Sequence, residues 1–173
     1  VYDEVSLELS RKAQETWKEM GVAIEDDDRS ITADVVETMI GDHGRGGRYH
    51  GGGFYEYGAD GSKHIWPGLF DLYGKDDVAI TDHDAKDRML FRQVIEALKC
   101  LETGVLRSVA DGNIGSIMGI GAPAWTGGLI QFINTYGLQN FIDRCSELST
   151  QYGDRFEAPA IVAEKLAAGE TFA

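Results

Sequence analysis

Apolar residues recur at helical spacing over most of the chain. The first such pattern predicts a continuous helix from Tyr2 to Met20, and Gly21 suits the stop position that follows a helix. The apolar positions of this helix are Val5, Leu9, Ala13, Trp17 and Met20. We therefore expect one amphipathic helix at the start of the sequence.

An acidic run at 25–28 separates this helix from the next one. We expect the run to be a solvated loop, with Thr32 as the N-cap of a short helix from Ala33 to Ile40. A calcium loop would need the order D-x-[DN]-x-[DN]-G, which the run does not contain. A capped surface loop is therefore the favoured interpretation.

Residues 41–66, GDHGRGGRYHGGGFYEYGADGSKHIW, are rich in glycine and aromatic residues. We expect a short β-hairpin or extended arm near residues 51–66, in which 54–57 pairs with 63–66 around an Asp60-Gly61 turn. Residues 67–83 follow as a connector. A second folding unit is expected to begin within that connector.

Residues 84–173 predict a bundle of helices. An apolar stripe runs from Leu90 to Leu101 and ends at Gly104, which is typical of a helix stop. Four further helices are predicted at 108–118, 126–136, 138–152 and 159–168. Because no segment alternates strands with helices, the expected fold class is all-α.

Charge and composition narrow the class of protein. The chain has 16 Lys+Arg, 29 Asp+Glu and a net charge of −13, which disfavours nucleic acid and anionic lipid as partners. No stretch approaches the roughly 18 consecutive apolar residues of a membrane span. The sequence opens at Val1 without a targeting leader, so we expect a fragment of a longer cytoplasmic protein. Cys100 and Cys145 lack a C-x-x-C partner and are expected to be free, buried thiols.

The stretch 115–128, GSIMGIGAPAWTGG, contains a match to the dinucleotide fingerprint G-x-G-x-x-G/A at 119–124. That fingerprint needs a buried strand before its glycines, but the preceding apolar residues have helical spacing. A tight corner between two helices is therefore favoured. In such a corner we expect positive φ at Gly119 and Gly121, close packing at Gly127 and Gly128, and stiffening and anchoring of the turn by Pro123 and Trp125.

Two segments together resemble one enzyme family. ADGNIGSIMGIGAPAWTGGLIQFINTYG is similar to the C-terminal helical domain of 3-hydroxyacyl-CoA dehydrogenases, especially its second copy in multifunctional fatty-acid β-oxidation proteins of the trifunctional-enzyme α-subunit type. The matching positions are Asp111, Gly119, Gly121, Pro123, Gly127, Gly128, Gly137 and Leu138.

The glycine-rich segment resembles the arm that closes the first copy, which in the family reads G-R-K-T-G-x-G-F-Y-x-Y. The matching positions are Gly47, Arg48, Gly51, Gly53, Phe54, Tyr55 and Tyr57. Tyr49 and His50 stand where the family usually has Lys and Thr.

The resemblance implies a helical bundle like the C-terminal domain of 6-phosphogluconate dehydrogenase. Residues 1–66 would be the second half of a first helical domain, 67–83 a connector, and 84–173 a complete second helical domain. The parent enzyme would hydrate 2-enoyl-CoA and oxidise 3-hydroxyacyl-CoA with NAD. Its His–Glu pair, NAD loop and hydratase carboxylates would lie in preceding Rossmann and hydratase domains.

We accordingly assign no catalytic, cofactor-binding or metal-binding residue to this chain. Its expected role is architectural, bracing the substrate side of the dehydrogenase or packing as a homodimer would. Arg45 and Arg48 could contact a phosphate of coenzyme A, because a guanidinium group suits phosphate. His43, His50, His64 and His83 lack metal-ligand spacing and are expected in turns or on the surface. The alternatives are an independent all-α interaction module and a small nucleotide-binding enzyme built on 119–124.

Overall fold

The computed structural model describes residues 1–21, 27–76 and 78–173, with side chains for all of these except 27–30. The described residues are mostly helical, with one two-stranded sheet, which confirms the all-α class. They form two compact units, Val1–Val78 and Ala79–Ala173. The division between the units lies within residues 67–83.

The first unit combines short helices with a hairpin. Its helices are α1 (Tyr2–Val5), α2 (Leu7–Glu19), α3 (Asp27–Glu37) and α4 (Gly68–Tyr73), with a π-helical turn at Thr38–Asp42 and a 3₁₀ turn at Arg48–His50. Strands β1 (Tyr55–Tyr57) and β2 (Lys63–Ile65) pair antiparallel, with Glu56 opposite His64. Trp66 N–H also donates to Phe54 O, so the predicted hairpin is confirmed.

The continuous helix predicted over Tyr2–Met20 is wrong, because Ser6 breaks it with a φ of 92°. The Ser6 hydroxyl accepts from Glu8 N–H at 3.2 Å and donates to Gly46 O at 3.1 Å. Leu7 N–H donates to the same carbonyl at 3.0 Å. The break is therefore bonded to the loop that contains Gly46. Gly21 follows the helical region with positive φ, as its predicted stop position requires.

Two further expectations for the first unit need correction. Helix α3 begins at Asp27, so Thr32 lies inside a helix and is not its N-cap. The acidic loop predicted at 25–28 is wrong at residues 27 and 28, which begin α3, and residues 25 and 26 lie outside the described residues. Helix α4 occupies part of the predicted connector.

The second unit follows the predicted helices closely. Its helices are α5 (Asp82–Glu102), α6 (Val109–Ile120), α7 (Leu129–Tyr136), α8 (Leu138–Tyr152) and α9 (Ala160–Ala168), with 3₁₀ turns at Ala124–Thr126 and Asp154–Phe156. The N-cap of α6 is Ser108, whose hydroxyl accepts from Asp111 N–H. The four helices predicted after α5 match the observed ones to within three residues at each end.

The two units differ greatly in how much apolar surface they bury. In the second unit sixteen apolar side chains form one core, centred on the stacked rings of Phe91 and Phe141. Among the described residues of the first unit, the buried apolar cluster consists of Leu7, Val36 and Met39 alone. Leu9 and Met20, which the sequence placed on the apolar side of the first helix, are 55% and 72% exposed.

Arg144 on α8 links that helix to the start of α5. Its guanidinium donates to Asp84 at 2.5 Å, Asp87 at 2.7 Å and Glu147 at 2.8 Å. Burial alone lowers the pKa of Arg144, but the three carboxylates raise it above its ordinary value. The Arg144 hydrogen bond in turn holds the pKa of Asp84 below its usual range. Arg144 and Asp84 are therefore both charged near neutral pH.

The cysteines fit the prediction only in part. Both are free thiols; Cys145 is buried, and burial raises its pKa to about 12, whereas Cys100 is only half-buried. Within the part of the chain that the structure describes, no helix combines the length and apolarity needed to cross a membrane.

We predict that the first unit opens before the second, because buried apolar area is the main source of stability. Native-state hydrogen exchange in increasing urea should show amides of α2 and β1 exchanging at lower urea than amides of α5 and α7. A single transition shared by amides of both units would contradict this.

Candidate functional site

The glycine-rich stretch forms the junction between α6 and α7. Helix α6 ends at Ile120, and its C-cap, Gly121, adopts a left-handed conformation with φ of 70°. The following Ala122 N–H donates back to Ser116 O at 2.9 Å, closing the helix end. Pro123 O then accepts from both the backbone and the hydroxyl of Thr126, at 3.0 and 2.7 Å. The two helices are thus joined through a hydrogen-bonded turn.

Side chains of α6 cap the amino end of α7. Asn113 Oδ1 accepts from Ile130 N–H at 3.1 Å and from Gln131 N–H at 2.9 Å. Ser116 Oγ accepts from Leu129 N–H at 3.2 Å, and Thr126 Oγ1 accepts from Gly128 N–H at 3.1 Å. The backbone donors that a helix leaves unpaired at its start are therefore all bonded within the corner.

Two glycines allow α6 and α7 to approach closely. A Cβ atom added to Gly128 would lie 2.5 Å from Asn113 Cα, and one added to Gly112 would lie 2.5 Å from Ile130 Cδ1. Because the atoms nearest Gly128 include the backbone of Asn113, any larger residue at that position would force the helices apart, whereas at Gly112 the Ile130 side chain would have to shift. The expectation of close packing at Gly128 is confirmed. Gly127 has positive φ and lies beside the Gln131 side chain.

Two details of the predicted corner are wrong. Gly119 lies within helix α6 and does not have positive φ, and a Cβ atom there would meet nothing within 4 Å. Trp125 is 74% exposed and makes a T-shaped ring contact with Phe132, so it does not anchor the turn in the core. Asp111, another motif position, is exposed in the first turn of α6.

The geometry of the corner differs from that of a dinucleotide loop. A helix, α6, precedes the glycines where the fingerprint needs a strand. The amides at the start of α7 are bonded to side chains and are not presented to a phosphate. The hypothesis of a small nucleotide-binding enzyme built on 119–124 is therefore abandoned.

In the first unit, the buried carboxylate of Asp3 holds the glycine-rich arm in place. Asp3 Oδ1 accepts from Phe54 N–H at 2.9 Å, and Oδ2 accepts from Tyr55 N–H at 2.9 Å and Tyr57 OH at 3.1 Å. A Cβ atom added to Gly53 would lie 2.6 Å from Asp3 Oδ1, so only glycine allows this approach. Burial, and then the charge of Asp3, raise the pKa of Tyr57 to about 12.

The structure places Arg45 and Arg48 in different surroundings. Arg45 is half-buried over the Trp66 ring, where Nε donates to Gly53 O at 2.7 Å and Nη2 to Tyr55 O at 3.0 Å. The Arg48 side chain is 57% exposed and forms an ion pair with Glu4 at 3.1 Å. Arg45 is thus used to support the arm, whereas Arg48 faces solvent.

The remaining arm residues surround the Arg48–His50 turn. Gly47 precedes this turn and Gly51 follows it, both with positive φ. Tyr49 and His50, which depart from the family pattern, are exposed.

The four histidines are also exposed, as expected. His43 packs against the Trp66 ring, His64 lies 2.8 Å from Glu56, and His83 lies 3.1 Å from Arg144. Among the described residues, no three His, Cys, Asp or Glu side chains are grouped so that they could hold a metal ion.

Sequence reasoning missed the side chains that organise both motifs, Asp3 and Asn113. Asp3 lies in the first turn of the chain, more than fifty residues before its partners. Asn113 lies within the motif, but its amide gives no signal that it caps another helix. No protein-family model matches the sequence.

We predict that Gly121→Val lowers stability by about 1–3 kcal/mol, because a β-branched residue is strained at a φ of 70°. The matched control is Gly119→Ala, which should stabilise α6 by roughly 0.5–1 kcal/mol because Gly119 is helical and surrounded by open space. Urea unfolding monitored by circular dichroism measures both. A Gly121→Val variant as stable as the parent chain would refute the corner geometry.

We predict that Asp3→Asn destabilises the first unit by about 1–3 kcal/mol, because an amide cannot accept from all three donors. Removing the charge should also lower the Tyr57 pKa from about 12 toward its usual value of about 10. A raised Tyr57 pKa stabilises the fold below about pH 10, and this stabilisation is lost as the pH rises toward 12. Between these pH values the free energy of unfolding should therefore fall less in the variant than in the parent chain.

Urea unfolding gives the free energy in this experiment, and carbon-13 labelling of tyrosine with NMR gives the pKa. Asp71→Asn removes the same charge from an exposed position of the first unit and serves as the control. An unchanged Tyr57 titration in Asp3→Asn would show that the contact does not form.

Proposed function

We propose that this chain is the C-terminal helical portion of an NAD-dependent 3-hydroxyacyl-CoA dehydrogenase of the multifunctional fatty-acid β-oxidation type. Residues 1–66 would be the second half of a first helical domain resembling that of 6-phosphogluconate dehydrogenase. Residues 84–173 would be the complete second copy, joined to the first by the segment 67–83. The basis is the dense match of the arm and corner motifs to this family.

The observation that carries the proposal is the unequal packing of the two units. Residues 79–173 bury sixteen apolar side chains in one core, as a complete small domain does. The described residues of the first unit bury three, while Val5, Leu9 and Met20 are each more than half exposed. This contrast is what a half-domain would give if the helices that cover its apolar side belong to another part of the parent protein.

The proposed role is to support the substrate side of the dehydrogenase, without contributing a catalytic residue. The amides at the start of α7 and the Arg45 guanidinium are already bonded to neighbouring groups, which suits a structural role for both motifs. Hydride transfer to NAD and hydration of enoyl-CoA would take place in Rossmann and hydratase domains elsewhere in the parent. Arg48 would be the better placed of the two arginines to contact a phosphate of coenzyme A, because it faces solvent.

The proposal expects a cytoplasmic parent enzyme whose second helical domain packs as a dimer partner would. The coding sequence upstream of Val1 tests this parentage. It should encode a strand followed by G-x-G-x-x-G and a helix, preceded by a hydratase domain. An upstream sequence that encodes neither domain would refute the proposal.

We predict that the chain itself binds no NAD, because the dinucleotide loop would lie outside it. Isothermal titration of NAD into the chain should give only heats of dilution, whereas an intact NAD-dependent dehydrogenase titrated alongside should bind. A dissociation constant in the micromolar range would contradict the assignment of no cofactor-binding residue.

An independent all-α interaction module is the second candidate. The exposed apolar side chains of Leu9 and Met20 favour it, since such residues mark protein contacts when they lie together. The two candidates differ in the domains expected upstream of Val1 and in whether the chain associates with other copies on its own. A chain with no catalytic domains upstream, and with concentration-dependent association in sedimentation, would favour the interaction module.

A further inference from the structure

We draw no further inference here: the strongest candidate, the exposed apolar side chains of Ile114 and Met118 one turn apart on helix α6, carries none because nothing in the structure shows what covers them.

Discussion

The second unit depends on the side-chain cap that α6 places over the amino end of α7. Unpaired backbone N–H groups at a buried helix start would cost free energy. Asn113 and Ser116 supply the missing acceptors, which fixes the distance and rotation of one helix against the other. The requirement for glycine at 128 follows, because the capping geometry brings the start of α7 against the backbone of Asn113 on α6.

The first unit uses the same principle with a charged acceptor. Asp3 satisfies two consecutive backbone N–H groups at the base of the hairpin, and Gly53 is required because the carboxylate lies against it. Arg45 satisfies carbonyls of the same segment from another side. In both motifs that suggested the enzyme family, glycine therefore allows a polar side chain to approach and accept hydrogen bonds from backbone N–H groups. This packing accounts for the glycines at 53 and 128.

Local patterns in the sequence predicted most of the helices, because an apolar stripe and a glycine stop are both local signals. Helix α8 was predicted from Leu138 to Tyr152 on this basis, as observed. The break at Ser6 could not be predicted, since its cause is a hydrogen bond to Gly46, forty residues away. The prediction that Trp125 anchors the turn was wrong for a related reason. Its size suggested burial, but the burial of a side chain in a turn depends on which helices pack around that turn. The corner was predicted as a junction between two helices, whereas the side chains that cap α7 could be identified only from the structure.

Amide hydrogen exchange at the start of α7 tests most directly whether the corner is a closed structural junction. If Asn113 caps the helix, the amides of Ile130 and Gln131 should exchange as slowly as those of Phe132 and Ile133, although the first two have no partner within the helix. Replacing Asn113 with Ala should remove this protection while leaving α6 helical, because alanine is a good helix former. Exchange of Ile130 and Gln131 at the rates of unprotected amides in the parent chain would contradict the closed junction and reopen the corner as an anion site.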